Sequence, residues 1–174
     1  AEDEPRIEYG SDGSLKGLLI EEQRTNLFTH SDFSSGWDET GVDPIALDET
    51  GPDGQANTAV TLNEDITAGQ HKLNELIAGL PASTYTSSVF VKLKPSDTRT
   101  KIRLENSNFT PSNNYGDFDL SAGTVTKGSA ADNATIENVG NGWFRCSVTS
   151  TGGGGPAAII IVYLLDASGN TSYA

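Results

Sequence analysis

The run Ala157 to Leu165 constrains the fold more than any other segment: nine consecutive apolar residues, rich in β-branched side chains. A membrane-spanning helix needs roughly 18 such residues, so no membrane insertion is expected from it. Its length and branching suit a strand buried on both faces. The rest of the chain is heavily punctuated. Gly and Pro make up 26 of the 174 residues and Ser, Thr and Asn another 47, as in a fold of many short strands joined by turns. From residue 58 onward, turn signals recur about every ten to fifteen residues, the spacing of a sandwich or jelly roll. A chain of this length buries a core of its own without disulfides or metals. The expected fold is therefore all-β, an antiparallel β-sandwich of jelly-roll type.

Charge divides the chain unevenly. Of the 24 acids and 11 Lys plus Arg, 14 acids and only three bases fall in residues 1–53. The net charge of −13 sets nucleic acid and anionic membranes aside as partners. Residues 1–25 read as an acidic N-terminal segment with a leading hairpin, in which Gly10 to Gly13 turns the chain between Ile7-Glu8-Tyr9 and Leu15 to Ile20. Residues 26–174 then form the sandwich. The chain opens on Ala1 with no apolar leader, which points to a processed precursor or a piece of a longer protein. With Cys146 as the single cysteine, no internal disulfide is available.

Alternation sets the strand faces. In segment 83–94, Tyr85, Val89, Val91 and Leu93 share one side, and Phe90, Lys92 and Lys94 the other. In 98–105, Ile102 and Leu104 oppose Arg99, Lys101, Arg103 and Glu105, so one face of that sheet is wet. In 142–149, Phe144, Cys146 and Val148 point inward while Trp143, Arg145 and Ser147 point out. Segment 115–120 and residues 123–125 read as strand, turn and strand. Residues 38–57 read as loop with one short edge strand. Residues 70–80 place Leu73, Leu76, Ile77 and Leu80 at helical spacing, yet their β surroundings favour a strand.

Several words resemble known sequences. Pro5-Arg6-Ile7-Glu8-Tyr9 and the stretch from Gly17 to Leu27 are similar to a segment recurring in tail and fibre proteins of bacteriophages. The stretch from Asn26 to Trp37 resembles the opening of carbohydrate-binding-module jelly rolls of the CBM4/9 type. Thr84 to Lys92, Phe118 to Thr124 and Ile136 to Val148 continue the similarity, which covers nearly the whole chain. The resemblance implies a β-sandwich, a virion-attached or polysaccharide-directed role, and no particular binding residue. Similar sequences continue into a further strand with a Trp-Gly-Ala-Gln-Leu-Glu-like word, where this chain stops at Tyr173-Ala174. A missing strand would leave an open edge beside Ala157 to Leu165 and invite another virion chain or a second copy.

The residues suggest binding rather than catalysis. The two histidines, His30 and His71, stand in no hydrolase, metalloprotease or phosphate-loop word, so the chain is expected not to be an enzyme. A structural calcium ion is the one cofactor that the acidic loops suggest, through Asp43, Asp48 and Asp53 or through Asp117 and Asp119, against the simpler role of solvated turn acids. For sugars, which stack on aromatic faces, the candidates are Trp143 with Arg145 on one outward face, Lys101 and Arg103 on another, and Tyr115 behind a loop tip. The competing role for the bases is neutralising Asp117, Asp119 or the acidic segment. Trp37 is expected in the core, and Glu21, Glu22, Arg24 and Asn26 as a structural clasp. The expected function is a non-catalytic, extracellular virion module of a phage tail or fibre that contacts host glycans. The alternative is a carbohydrate-binding module of a secreted polysaccharide-degrading enzyme.

Overall fold

The computed structural model describes residues 25–28, 30, 31, 33, 35–95, 97–152 and 157–173, together with the strands β1 (Ile7–Tyr9) and β2 (Leu15–Leu18). All regular structure among the described residues is β-strand, so the chain is all-β. β1 pairs with β2 antiparallel, in a two-stranded sheet separate from the rest. The expected clasp of Glu21, Glu22 and Arg24 lies outside the described residues. Asn26 does close a turn, accepting the Phe28 amide at 3.0 Å.

Short strands follow: β3 (Asp38–Thr40), β4 (Leu47–Glu49), β5 (Ala59–Val60) and β6 (Gly69–Gln70). Then come β7 (Lys72–Ala78), β8 (Ser83–Lys92), β9 (Lys101–Ser107), β10 (Tyr115–Asp119) and β11 (Thr124–Lys127). The last are β12 (Asn133–Gly140), β13 (Trp143–Gly152), β14 (Ala157–Leu165) and β15 (Ser172–Tyr173). A six-stranded sheet has the order β11-β10-β9-β14-β7-β3, and a three-stranded sheet the order β12-β13-β8, all antiparallel. β4 pairs with β5 and β15 with β6.

The two main sheets pack face to face. Ile102, Leu104, Phe118, Ile160, Val162 and Leu164 of the larger meet Cys146 and Val148 of the smaller, with Val89, Val91, Ala134, Ile136 and Phe144 at the margin. Fully burying each large side chain contributes about 1.5–3 kcal/mol. Phe118 is completely enclosed, and its ring lies where a Cβ on Gly116 would stand, 2.8 Å away, so position 116 has no room for a side chain. The expected in-and-out alternation of segments 83–94, 98–105 and 142–149 is the observed one, except that Ser147, expected to face out, is buried.

β7 resolves the ambiguous stretch. Leu73 and Glu75 are buried on one side while Leu76 is 58% exposed on the other, a period of two set by pairing between β14 and β3. The expectation of an open edge beside Ala157 to Leu165 is overturned, because β14 is paired on both sides, by β7 and β9. Ile161 and Tyr163 are accordingly buried, with Leu165, in a second small cluster on the opposite face of the sheet.

A buried polar cluster links the two sheets. Asn106 of β9 accepts from Ser87 Oγ of β8 at 2.6 Å and donates through Nδ2 to Ser150 Oγ of β13 at 3.1 Å, all three buried. This stitch ties the sheets at a fixed register, and removing one member leaves buried hydroxyls unpaired. Asn106→Ala is expected to lose about 2–4 kcal/mol in urea unfolding, whereas replacing all three together by apolar residues of similar size costs far less. Equal losses in the single and triple variants would show that the hydrogen bonds contribute nothing specific.

Candidate functional site

The outer face of the three-stranded sheet is built by strand alternation. Inward Val89, Val91, Phe144 and Cys146 force Phe90, Lys92, Trp143 and Arg145 outward. The register sets Glu137, Arg145 and Phe90 in one row, and Gly140, Trp143 and Lys92 in the next. Phe90 and Trp143 are therefore diagonal neighbours, a spacing within reach of large rings. Phe90 is 44% exposed, Arg145 and Lys92 are exposed, and Trp143 is half-exposed. Further along the face runs a hydroxyl ladder in which Thr86 meets Thr149 at 2.8 Å and Thr84 meets Thr151 at 2.7 Å. The bulge between Asn138 and Gly140 leaves Val139 exposed at the rim.

The outer face of the six-stranded sheet is different in kind, because its charges satisfy one another. Arg103 donates from Nε and Nη2 to the two oxygens of Asp117 at 2.6 and 2.9 Å, and its guanidinium carbon stands 3.7 Å from the centre of the Tyr115 ring. Lys101 donates to the Ala167 carbonyl at 3.0 Å. Lys72 Nζ stands 5.6 Å from the centre of the Tyr163 ring. Tyr115 stands directly behind the turn, at the start of the strand expected over 115–120. It opens β10, paired with Glu105, because the turn ends at Asn114. Arg99 lies before β9 and is engaged by Glu64, with Nε at 3.0 Å, while stacking over Tyr173 at 4.5 Å.

The sequence candidates thus fall on opposite sides of the sandwich. Trp143 and Arg145 share one outer face, and Lys101, Arg103 and Tyr115 share the other. Phe90 was the partner that sequence reading passed over. Its outward position was readable from alternation, but its place beside Trp143 depends on a pairing across more than fifty residues.

Other chemistry finds less support. His30 Nδ1 stands 3.2 Å from Glu75 Oε1, and His71 bonds the Gly41 carbonyl while stacking on Tyr173 at 4.6 Å. Burial pushes the Cys146 thiol up to about 12, so at neutral pH it is protonated and unreactive. Asp117 is held by Arg103, and Asp119 caps the following turn by accepting from Ser121 and Ala122. Among the described residues, no three His, Cys, Asp or Glu side chains gather as a metal site. Trp37 is half-buried rather than enclosed, stacked against Phe28 and Phe33 with its indole N–H on the His30 carbonyl. The chain matches no protein-family model, and no curated protein is similar to it.

Glu105 gives the six-stranded face a pH dependence. Burial raises its pKa above the ordinary value, against the pull of Arg103 and Lys72. Just above the unfolded value the folded chain binds more protons than the unfolded one, so this group's contribution to stability falls as pH rises through the folded pKa. Glu105→Gln should therefore raise the Tm at pH 7, and the gain should shrink as the pH approaches 4.5. Thermal melts from pH 4.5 to 8 measure this, and a lower Tm for the variant at pH 7 would mean that attraction to Arg103 and Lys72 outweighs burial.

Proposed function

We propose that this chain is a non-catalytic β-sandwich module of a bacteriophage tail or fibre, exposed at the virion surface, that contacts acidic glycans of the host. The observation that carries this reading is the outer face where Phe90 and Trp143 stand beside Arg145 and Lys92. Aromatic faces stack on sugar C–H groups, and flanking cations reach carboxylate or sulfate oxygens through charge-assisted hydrogen bonds. The tail-like words around Pro5 to Tyr9 and Gly17 to Leu27 support the virion setting. The same face would serve a module of a secreted polysaccharide-degrading enzyme, and the ligand class separates the two: bacterial surface polysaccharides for the first, structural plant or algal polysaccharides for the second.

A glycan array with the purified chain tests the reading. The double variant Phe90→Ala with Trp143→Ala should weaken binding by about tenfold or more, the scale of two lost stacking contacts. Arg145→Ala should weaken acidic glycans selectively, and Lys101→Ala on the other face should change nothing. Full affinity in a folded double variant, or a loss confined to Lys101→Ala, would remove the site from this face.

A further inference from the structure

A sheet edge recruits another strand unless something blunts it, and three of the four edges of the two main sheets are blunted. β3 is three residues long and carries Asp38 and Glu39. β11 has four residues and ends on Lys127, and β12 carries Glu137 and a bulge. β8 carries only one of these devices, the terminal Lys92. It is ten residues long, with no proline or acid, and its register with β13 is unbroken from Ser83 to Lys92. No described strand pairs with its other side.

That side opens on a cleft of about 1170 Å³. One wall is Thr86 to Lys94, and the other is Thr58 to Glu64, which includes β5. Ile160, Val162 and Leu164 of β14 line it from the facing sheet, and Val89, Val91 and Leu93 remain half-exposed along β8 although they pack on the core. Only side chains cross between the walls: Lys94 Nζ reaches Thr61 Oγ1 and Glu49 Oε1, each at 2.6 Å. The volume exceeds the roughly 300–1,000 Å³ of small-molecule pockets. Along β8 the cleft presents a backbone edge, the complement of another backbone.

We propose that β8 is a strand-addition site that takes an extended, non-acidic segment of a different polypeptide with apolar residues at alternate positions. Seated between β8 and β5, that segment would join β12, β13 and β8 to β5 and β4, giving six strands to face the six already present. Its inward side chains fill the cleft and its backbone pairs with β8. Charge selects the partner. The wall acids Asp53, Glu64 and Asp97 stand among Lys92, Lys94 and Arg99 and balance locally, so it is the net −13 of the whole chain that disfavours a second copy or an acidic segment against a neutral or basic one. Phe90, Lys92 and Trp143 also border this cleft, so a strand on β8 lies beside the glycan face. The glycan reading uses those outward side chains, whereas strand addition uses the backbone edge and the inward Val89 and Val91.

The probes are two fluorescein-labelled, end-blocked peptides of alternating Thr and Val, one flanked by Lys and one by Glu, measured by fluorescence anisotropy against the whole chain. The Lys-flanked peptide should bind, the Glu-flanked one at least tenfold more weakly, and Val91→Lys should reduce binding at least tenfold. Hydrogen exchange of the parent chain supplies a readout that does not depend on the variant folding. The alternate outward amides of β8 should exchange fast in the free chain and at least tenfold more slowly with the Lys-flanked peptide. Absence of binding, or full binding by a folded Val91→Lys chain, would overturn the assignment. So would β8 amides already protected without peptide: dependence on protein concentration would place a second copy in the slot, and independence a segment of the same chain.

Discussion

Burial of β14 on both faces is the constraint on which the rest depends. Ile160, Val162 and Leu164 point into the space between the sheets, and Ile161, Tyr163 and Leu165 into a second cluster behind it. A strand with no wet face also has no tolerable wet edge, because buried amides and carbonyls must be paired. β7 and β9 supply those partners over almost its whole length. Once they are in place, Leu73, Ile102 and Leu104 have no choice of face, and the inner surface of the larger sheet is fixed. β7 shows the constraint at work, since helical spacing at Leu73, Leu76 and Ile77 yields to pairing with β14 and leaves Leu76 exposed.

The smaller sheet is placed by complementarity with that surface and by the Asn106 stitch. Apolar packing alone tolerates sliding, whereas a buried amide that bonds Ser87 and Ser150 accepts one alignment. The two outer faces then follow different logics. On the larger sheet, Arg103, Asp117 and Tyr115 form a closed set that leaves little for a ligand. On the smaller, the rings of Phe90 and Trp143 and the cations of Lys92 and Arg145 face solvent. A charge committed to a neighbour must give up that neighbour before it can bind anything else, so the second face is the better candidate for contact.

Local features were legible in the sequence because their causes are local. Alternation over 83–94, 98–105 and 142–149 fixed which side chains point inward, and the branched run at 157–165 announced a strand buried on both faces. Strand neighbours were not legible, because they arise from contacts between distant segments. That β14 lies between β7 and β9, that Tyr115 stands opposite Glu105, and that Phe90 stands beside Trp143 all depend on register between separate segments. The same limit split the binding candidates. Alternation already set Trp143 with Arg145 on one outward face and Lys101 with Arg103 on another, but only the packing of one sheet on the other shows that these faces lie on opposite sides of the sandwich.

Native-state hydrogen exchange tests the central role of β14 most directly. Amides of β14 and of the facing half of β9 should exchange only through global unfolding, with a free energy equal to that from urea denaturation, while β3, β4 and β5 open locally at lower cost. Exchange of β14 as fast as that of β4 would contradict the account, because it would mean that the doubly buried strand is not what holds the two sheets together.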